Sequence, residues 1–138
     1  MTKARDIMTP GAECAHTDDT VAVAAMRMAE LGVGALPICG RDDRLKGMIT
    51  DRDIAIKVVG AGQDPRICKV GDVAQGEAIT IGADDDIDEL LRTMSAHQVR
   101  RVPVIDGHTL VGIVAQADVA RALPEQRVAE LVEALSIG

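Results

Sequence analysis

The chain repeats itself, and this duplication constrains its fold more than any other feature of the sequence. A shift of 66 residues superposes identical residues in the first part of each copy: Asp6 with Asp72, Met28 with Met94, Val33 with Val99 and Pro37 with Pro103. After a one-residue deletion the shift becomes 65 and the identities continue: Leu45 with Leu110, Gly47 with Gly112 and Asp53 with Asp118. Chance does not maintain such matches over half a chain, so we infer two copies of one structural unit.

Within each copy the hydrophobic pattern predicts the element order β-α-β-β-α, preceded by a short helical turn. The main helix has apolar residues at i, i+3, i+4 and i+7: Val21, Ala24, Ala25 and Met28 in the first copy, and Ile87, Leu90, Leu91 and Met94 in the second. Two short apolar runs around polar turn residues then predict a hairpin, 35–39 with 45–49 and 101–105 with 110–114. The predicted fold class is α/β (α+β).

The repeats and their flanks divide the chain into four predicted segments. These are residues 4–60 (first repeat), 61–69 (linker), 70–123 (second repeat) and 124–138 (C-terminal amphipathic helix). The linker contains Gly62 and Pro65, which interrupt regular structure, and Pro124 suits the first turn of a helix. The last helix has its own apolar stripe, formed by Val128, Leu131, Val132 and Leu135.

The charge balance excludes whole classes of partner. The chain carries 22 acidic and 15 basic residues, a net charge of −7, which argues against sequence-independent binding to nucleic acid. It has no Phe, Tyr or Trp, so aromatic stacking cannot hold a base. No stretch approaches the ~20 apolar residues of a membrane helix, and no apolar region follows the charged start. We therefore expect a cytoplasmic protein with no nucleic acid and no membrane as partner.

The reactive side chains predict neither a catalytic site nor a metal site. No serine or cysteine has a recognisable base partner, so we do not expect an enzyme. The three cysteines and three histidines are scattered and lack the spacing of zinc ligands. Cys14 and Cys39 lie on neighbouring predicted strands of the first repeat, which leaves two alternatives: a disulfide under oxidising conditions, or two reduced thiols.

The segments 36–38, 47–53, 102–104 and 112–118 resemble the signature elements of the cystathionine-β-synthase (CBS) domain family. The resemblance covers nearly the whole chain. It implies two β-α-β-β-α repeats packed sheet to sheet as one pseudo-twofold module with two clefts, and two such modules in a disc-like homodimer. The second helix of the first repeat favours this assembly, because apolar residues lie on several of its faces: Ile54, Ile56, Val58 and Val59.

The family's nucleotide-binding signature, Gly-x-x-Thr/Ser-x-x-Asp, is complete in the first repeat as Gly47, Thr50 and Asp53. The resemblance implies no cofactor other than AMP, ADP or ATP as a regulatory ligand. The Asp53 carboxylate would accept from the ribose hydroxyls, and Thr50 would donate to phosphate beside free amides at a helix start. An alternative role needs no ligand, because Thr-x-x-Asp also forms a helix capping box.

The second repeat departs from this signature. Gly112 and Asp118 remain, but Ala115 replaces the hydroxyl, so we expect a weaker site or one selective for an unphosphorylated nucleoside. Arg100 and Arg101 precede the second Pro motif, where the resemblance implies phosphate-binding basic residues. The alternative is that these two arginines pair with the surplus acidic residues.

Two functions compete on these observations. The first is a non-catalytic regulatory module that senses an adenine nucleotide or nucleoside and acts on an unidentified effector protein. The second is a stress-related interaction protein with empty clefts that acts through its dimer surface. The complete signature of the first repeat favours the sensor, and Ala115 favours the interaction protein.

Overall fold

A computed structural model describes residues 1–11, 13–42, 44–74 and 78–136. The helices are α1 (Ala4–Ile7), α2 (Val21–Leu31), α3 (Asp51–Asp53), α4 (Val70–Val73), α5 (Ile87–His97), α6 (Gln116–Ala122) and α7 (Glu125–Ser136), and a π-helical segment (Ile54–Val59) continues α3. The strands are β1 (Thr9–Pro10), β2 (Ala15–His16), β3 (Ala35–Cys39), β4 (Leu45–Thr50), β5 (Ile81–Gly82), β6 (Arg101–Asp106) and β7 (Thr109–Ala115). Two sheets combined with helices confirm the predicted mixed α+β class.

The chain divides into two compact units that are offset from the sequence repeats. The central unit is Glu13–Ala78, and the split unit combines Met1–Ala12 with Ile79–Gly138. The short helix α1 therefore belongs with the second repeat, and α4 belongs with the first. A backbone hydrogen bond holds α1 in the split unit, since the Ala4 amide donates to the Asp85 carbonyl at 2.9 Å.

The central unit builds on a three-stranded sheet of order β2-β3-β4, in which β2 is parallel and β4 antiparallel to β3. Helix α2 begins after Thr20, whose hydroxyl accepts from the Val23 amide at 3.3 Å, and ends at Gly32 in the left-handed conformation. Its predicted apolar stripe buries Val21, Ala24 and Met28 in the core, while Ala25 is half-buried.

The split unit repeats this arrangement and adds a strand. Its sheet has the order β1-β7-β6-β5, and the two-residue strand β1, which the sequence pattern does not predict, pairs antiparallel with β7. Helix α5 begins after Asp86, whose carboxylate accepts from the Glu89 amide at 2.9 Å. Arg5 of α1 donates to Asp84 at 2.9 Å, and this bond lowers the pKa of the Asp84 carboxyl.

Helix α7 covers α5 within the split unit. Leu131 and Leu135 of the predicted stripe are 3% and 8% exposed, and Arg127 pairs with Asp88 at 2.5 Å. Burial of one such leucine stabilises the fold by about 1.5–3 kcal/mol. Ile137 and Gly138, the last residues of the predicted helix, lie outside the described residues. None of the helices in the described ranges combines the length and apolar character needed to cross a bilayer.

Candidate ligand-binding site

In the first repeat, Thr50 lies where strand β4 meets helix α3. Gly47 of the same strand is opposite Ile38, and Thr50 is opposite Ala35. The Thr50 backbone is extended (φ −117°, ψ 161°), and this residue is the N-cap of the helix. Because strand and helix meet at one residue, the side chains of Thr50 and Asp53 lie next to each other.

These two residues form the reciprocal capping box that their spacing predicts. The Thr50 hydroxyl accepts from the Asp53 amide at 3.1 Å, and Asp53 Oδ2 accepts from the Thr50 amide at 3.0 Å. The box fixes both side chains and leaves the hydroxyl hydrogen available for donation. Asp53 Oδ1 lies 3.3 Å from the ammonium of Lys57, one turn along the helix.

The amides at the start of α3 are engaged, which corrects the expectation that they would be free. The Asp51 amide donates to the Gly34 carbonyl at 2.9 Å, and the Arg52 amide donates to the Asp51 carboxylate at 2.8 Å. The Asp53 amide is bonded to Thr50. A phosphate would compete with these bonds and meet a carboxylate, so this helix start suits a hydroxyl-rich ligand better than an isolated anion.

The second repeat has the same junction at Ala115, with half of the capping box. The Ala115 amide donates to Asp118 Oδ2 at 2.8 Å, but alanine offers no hydroxyl in return. The Asp118 side chain is 4% exposed, compared with 22% for Asp53. Matching carboxylates therefore lie in different surroundings.

The other oxygen of Asp118 is occupied by two side chains. Its Oδ1 accepts from the Thr9 hydroxyl at 3.2 Å and also pairs with the Arg121 guanidinium. Thr9 belongs to β1, where it lies opposite Ile113 of β7. Gly112 permits this approach, because a Cβ there would lie 2.7 Å from the Thr9 carbonyl oxygen.

Sequence reasoning missed both of these partners of Asp118. Arg121 had a signal, because residues three apart on a helix are neighbours. Thr9 had none, because it lies 109 residues from Asp118 in the chain and on a two-residue strand.

Arg100 and Arg101 lie beside the junction of β7 and α6. Arg101 is directly opposite Ala115 across β6 and β7, and the Arg100 carbonyl accepts from the Gln116 amide at 2.9 Å. Both side chains are exposed. Neither guanidinium has a hydrogen bond or ion pair within the part of the chain that the structure describes, so the acidic partners considered above are not found there.

The candidate residues thus form two groups. The central unit contains Gly47 and Thr50 in β4 and Asp53 in α3, and the split unit contains Arg100 and Arg101 around the start of β6 and Asp118 in α6.

The cysteine pair belongs to the central unit. Cys14 and Cys39 form a disulfide in the structure, with Cα atoms 5.6 Å apart, inside the limit of about 7 Å for bridging. The Cys14 carbonyl accepts from the Arg27 guanidinium at 2.6 Å. Cys68 is a free, half-buried thiol. Among the described residues, no three His, Cys, Asp or Glu side chains are grouped closely enough to hold a metal ion.

Comparison with known proteins agrees with the duplicated architecture. The CBS domain family model matches residues 4–60 and 70–125. The chain is 51% identical over 135 residues to hypoxic response protein 1 of Mycobacterium tuberculosis (strain ATCC 25618 / H37Rv), covering 98% of this chain and 94% of that protein.

Two solved structures are also similar. Hypoxic Response Protein I, crystallised with two coordinated zinc ions, matches with a TM-score of 0.83 at 53% identity, covering 89% of this chain and 100% of that chain. The CBS domain pair of protein MJ0100, in complex with 5′-methylthioadenosine and S-adenosyl-L-methionine, matches with a TM-score of 0.77 at 28% identity. That match covers 88% of this chain and 95% of that chain.

Proposed function

Because this chain belongs to the CBS domain family, we propose that it is a non-catalytic regulatory module whose ligand is an adenine nucleotide or nucleoside. The observation that carries the proposal is the environment of Asp53. Its carboxylate is held in place by the capping box and is 22% exposed. Its second oxygen faces an exposed ammonium, that of Lys57, rather than a buried partner.

The chemistry of the site favours recognition through the ribose. A carboxylate accepts hydrogen bonds from two neighbouring hydroxyls, and such charge-assisted bonds are stronger than neutral ones. The Thr50 hydroxyl and the Lys57 ammonium are the groups that would contact a phosphate, since the amides of α3 are engaged. The adenosine derivatives in the MJ0100 complex support this ligand class. We therefore expect both adenosine and AMP to bind at this site.

Thermal unfolding in the presence of adenosine, AMP, ADP and ATP tests this proposal. A ligand at a hundred times its Kd adds about 2.7 kcal/mol of stability. For a chain of this size that raises Tm by roughly 5–10 °C. Circular dichroism or calorimetry is suitable, because the chain has no Trp or Tyr for fluorescence.

Asp53→Asn should abolish this rise in Tm, because the amide replaces an acceptor oxygen by a donor. Asp118→Asn is the matched control, and it should keep the rise even if it lowers Tm without ligand. An unchanged Tm of the wild type in millimolar concentrations of all four compounds would contradict the proposal.

We also propose that the protein is a homodimer that transmits its response to an effector protein. The large apolar side chains that stay exposed in the central unit are Val23, Met26, Leu31, Ile56, Val59 and Ile67. A closed twofold assembly is the commonest way to cover such a surface. Light scattering at micromolar concentration should give the mass of a dimer, and the mass of a monomer would refute this assembly.

The competing function is a stress-related interaction protein that acts through the same surface. The exposed apolar side chains favour it, and one relative is named a hypoxic response protein. A dimeric protein whose Tm is insensitive to all four adenine compounds would support this function over the sensor. In either case, a cytoplasmic location remains our proposal.

A further inference from the structure

We propose that Thr9 and Arg121 close the second repeat to nucleosides, so that each chain binds one such ligand. The proposal takes its ligand class from the proposed function, but it concerns different residues. Both repeats place a carboxylate at the same position after the same strand, Asp53 in one and Asp118 in the other. The number of ligands then depends on what already occupies each carboxylate.

The acceptor positions of Asp118 are used within the fold. One oxygen accepts from the Ala115 amide at 2.8 Å, and the other accepts from Thr9 at 3.2 Å and pairs with Arg121. A ribose needs acceptor positions for two hydroxyls on the same carboxylate. It would have to displace both side chains from a group that is 4% exposed.

The matching carboxylate of the first repeat is less occupied. Asp53 shares with Asp118 the bond from the backbone of its N-cap residue, but its other oxygen has the Lys57 ammonium at 3.3 Å. The Asp53 carboxylate is 22% exposed, whereas that of Asp118 is 4% exposed, so solvent screens the pair with Lys57 and a ligand exchanges for it more easily. A ligand that cannot form one hydrogen bond to a buried charged group binds about tenfold more weakly or worse. At Asp118 two such positions are already taken, by Thr9 and Arg121.

The absence of a hydroxyl at Ala115 offers a different explanation for a second repeat that binds no ligand. That hydroxyl would serve the phosphate of a nucleotide, whereas Thr9 and Arg121 block the carboxylate that would hold the ribose. The two explanations therefore predict different effects of restoring the hydroxyl and of removing the block.

Isothermal titration with adenosine and AMP separates them. Relative to the wild type, T9V/R121M should gain one adenosine site per chain, because Asp118 Oδ1 becomes available. Adding D118N to that variant should remove the gained site. A115T completes the signature but leaves the block in place, so it should keep the wild-type stoichiometry.

Two outcomes overturn the closure: a gained site in A115T alone, or no gained site in T9V/R121M when circular dichroism shows the native spectrum. If T9V/R121M does not fold, the A115T arm still decides between the two explanations. A wild type that binds neither compound contradicts the proposed function. The closure is then judged separately, by whether T9V/R121M rises from no site to one or stays at none.

Discussion

The central unit and the split unit contain the same repeat, but they are completed in different ways. In the split unit, β1 pairs with the sheet edge and α7 covers α5, so segments from both ends of the chain close it. The central unit instead carries the Cys14–Cys39 disulfide and leaves Met26 of α2 62% exposed. The comparison shows that the duplication gives both units the same arrangement of strands and helices. The short segments added to one unit determine which surfaces and polar groups remain exposed.

The difference is already present in the side chains of the matching helices. The residues of α5 that line the groove beside α7 are Asp88, Leu91, Arg92 and Ser95. The matching residues of α2 are Ala22, Ala25, Met26 and Ala29. Arg127 of α7 pairs with Asp88, and alanine at the matching position of α2 cannot provide that ion pair. Helix α2 therefore lacks the ion-pair partner through which α5 contacts α7.

Removing a buried contact of α7 should have the largest effect on stability. Leu131→Ala should lower the free energy of unfolding by about 2–5 kcal/mol, because Leu131 is 3% exposed in the split unit. Val132→Ala is the matched control on the same helix, and it should cost less because Val132 is 39% exposed. Urea unfolding followed by circular dichroism measures both. Equal costs would show that α7 does not complete the split unit.

Reducing the disulfide should have the next largest effect, and it should act through the central unit. Cys14 and Cys39 are 25 residues apart in sequence, and closing a loop of this order stabilises a fold by roughly 3 kcal/mol. We expect the free energy of unfolding to fall by about that amount in dithiothreitol.

The C14A/C39A variant should be insensitive to dithiothreitol, and Cys68→Ala should respond as the wild type does. If the wild type unfolds at the same urea concentration with and without dithiothreitol, the disulfide does not stabilise the central unit.

Short-range sequence patterns predicted the repeated secondary structure but not the contacts that distinguish its two copies. The apolar stripe around Leu90 is a short-range pattern, and it places α5 correctly. The bond between Thr9 and Asp118 spans 109 residues, and no periodicity reports it. The engagement of the Asp51 amide was missed for a similar reason, since the Gly34 carbonyl that accepts from it comes from another segment.

The smallest expected effect concerns the N-caps of the two second helices. Thr50 and Ala115 have nearly the same backbone, with φ and ψ of −117° and 161° against −105° and 163°, so threonine suits the second position too. Thr50→Ala should cost about 1 kcal/mol, and Ala115→Thr should add up to about 1 kcal/mol, because an N-cap hydroxyl satisfies one helix amide. Ala115→Val supplies the added bulk without the hydroxyl and should give no such gain in urea unfolding. If valine stabilises the protein as much as threonine does, the repeats differ at this junction through side-chain packing, and not through the capping hydrogen bond.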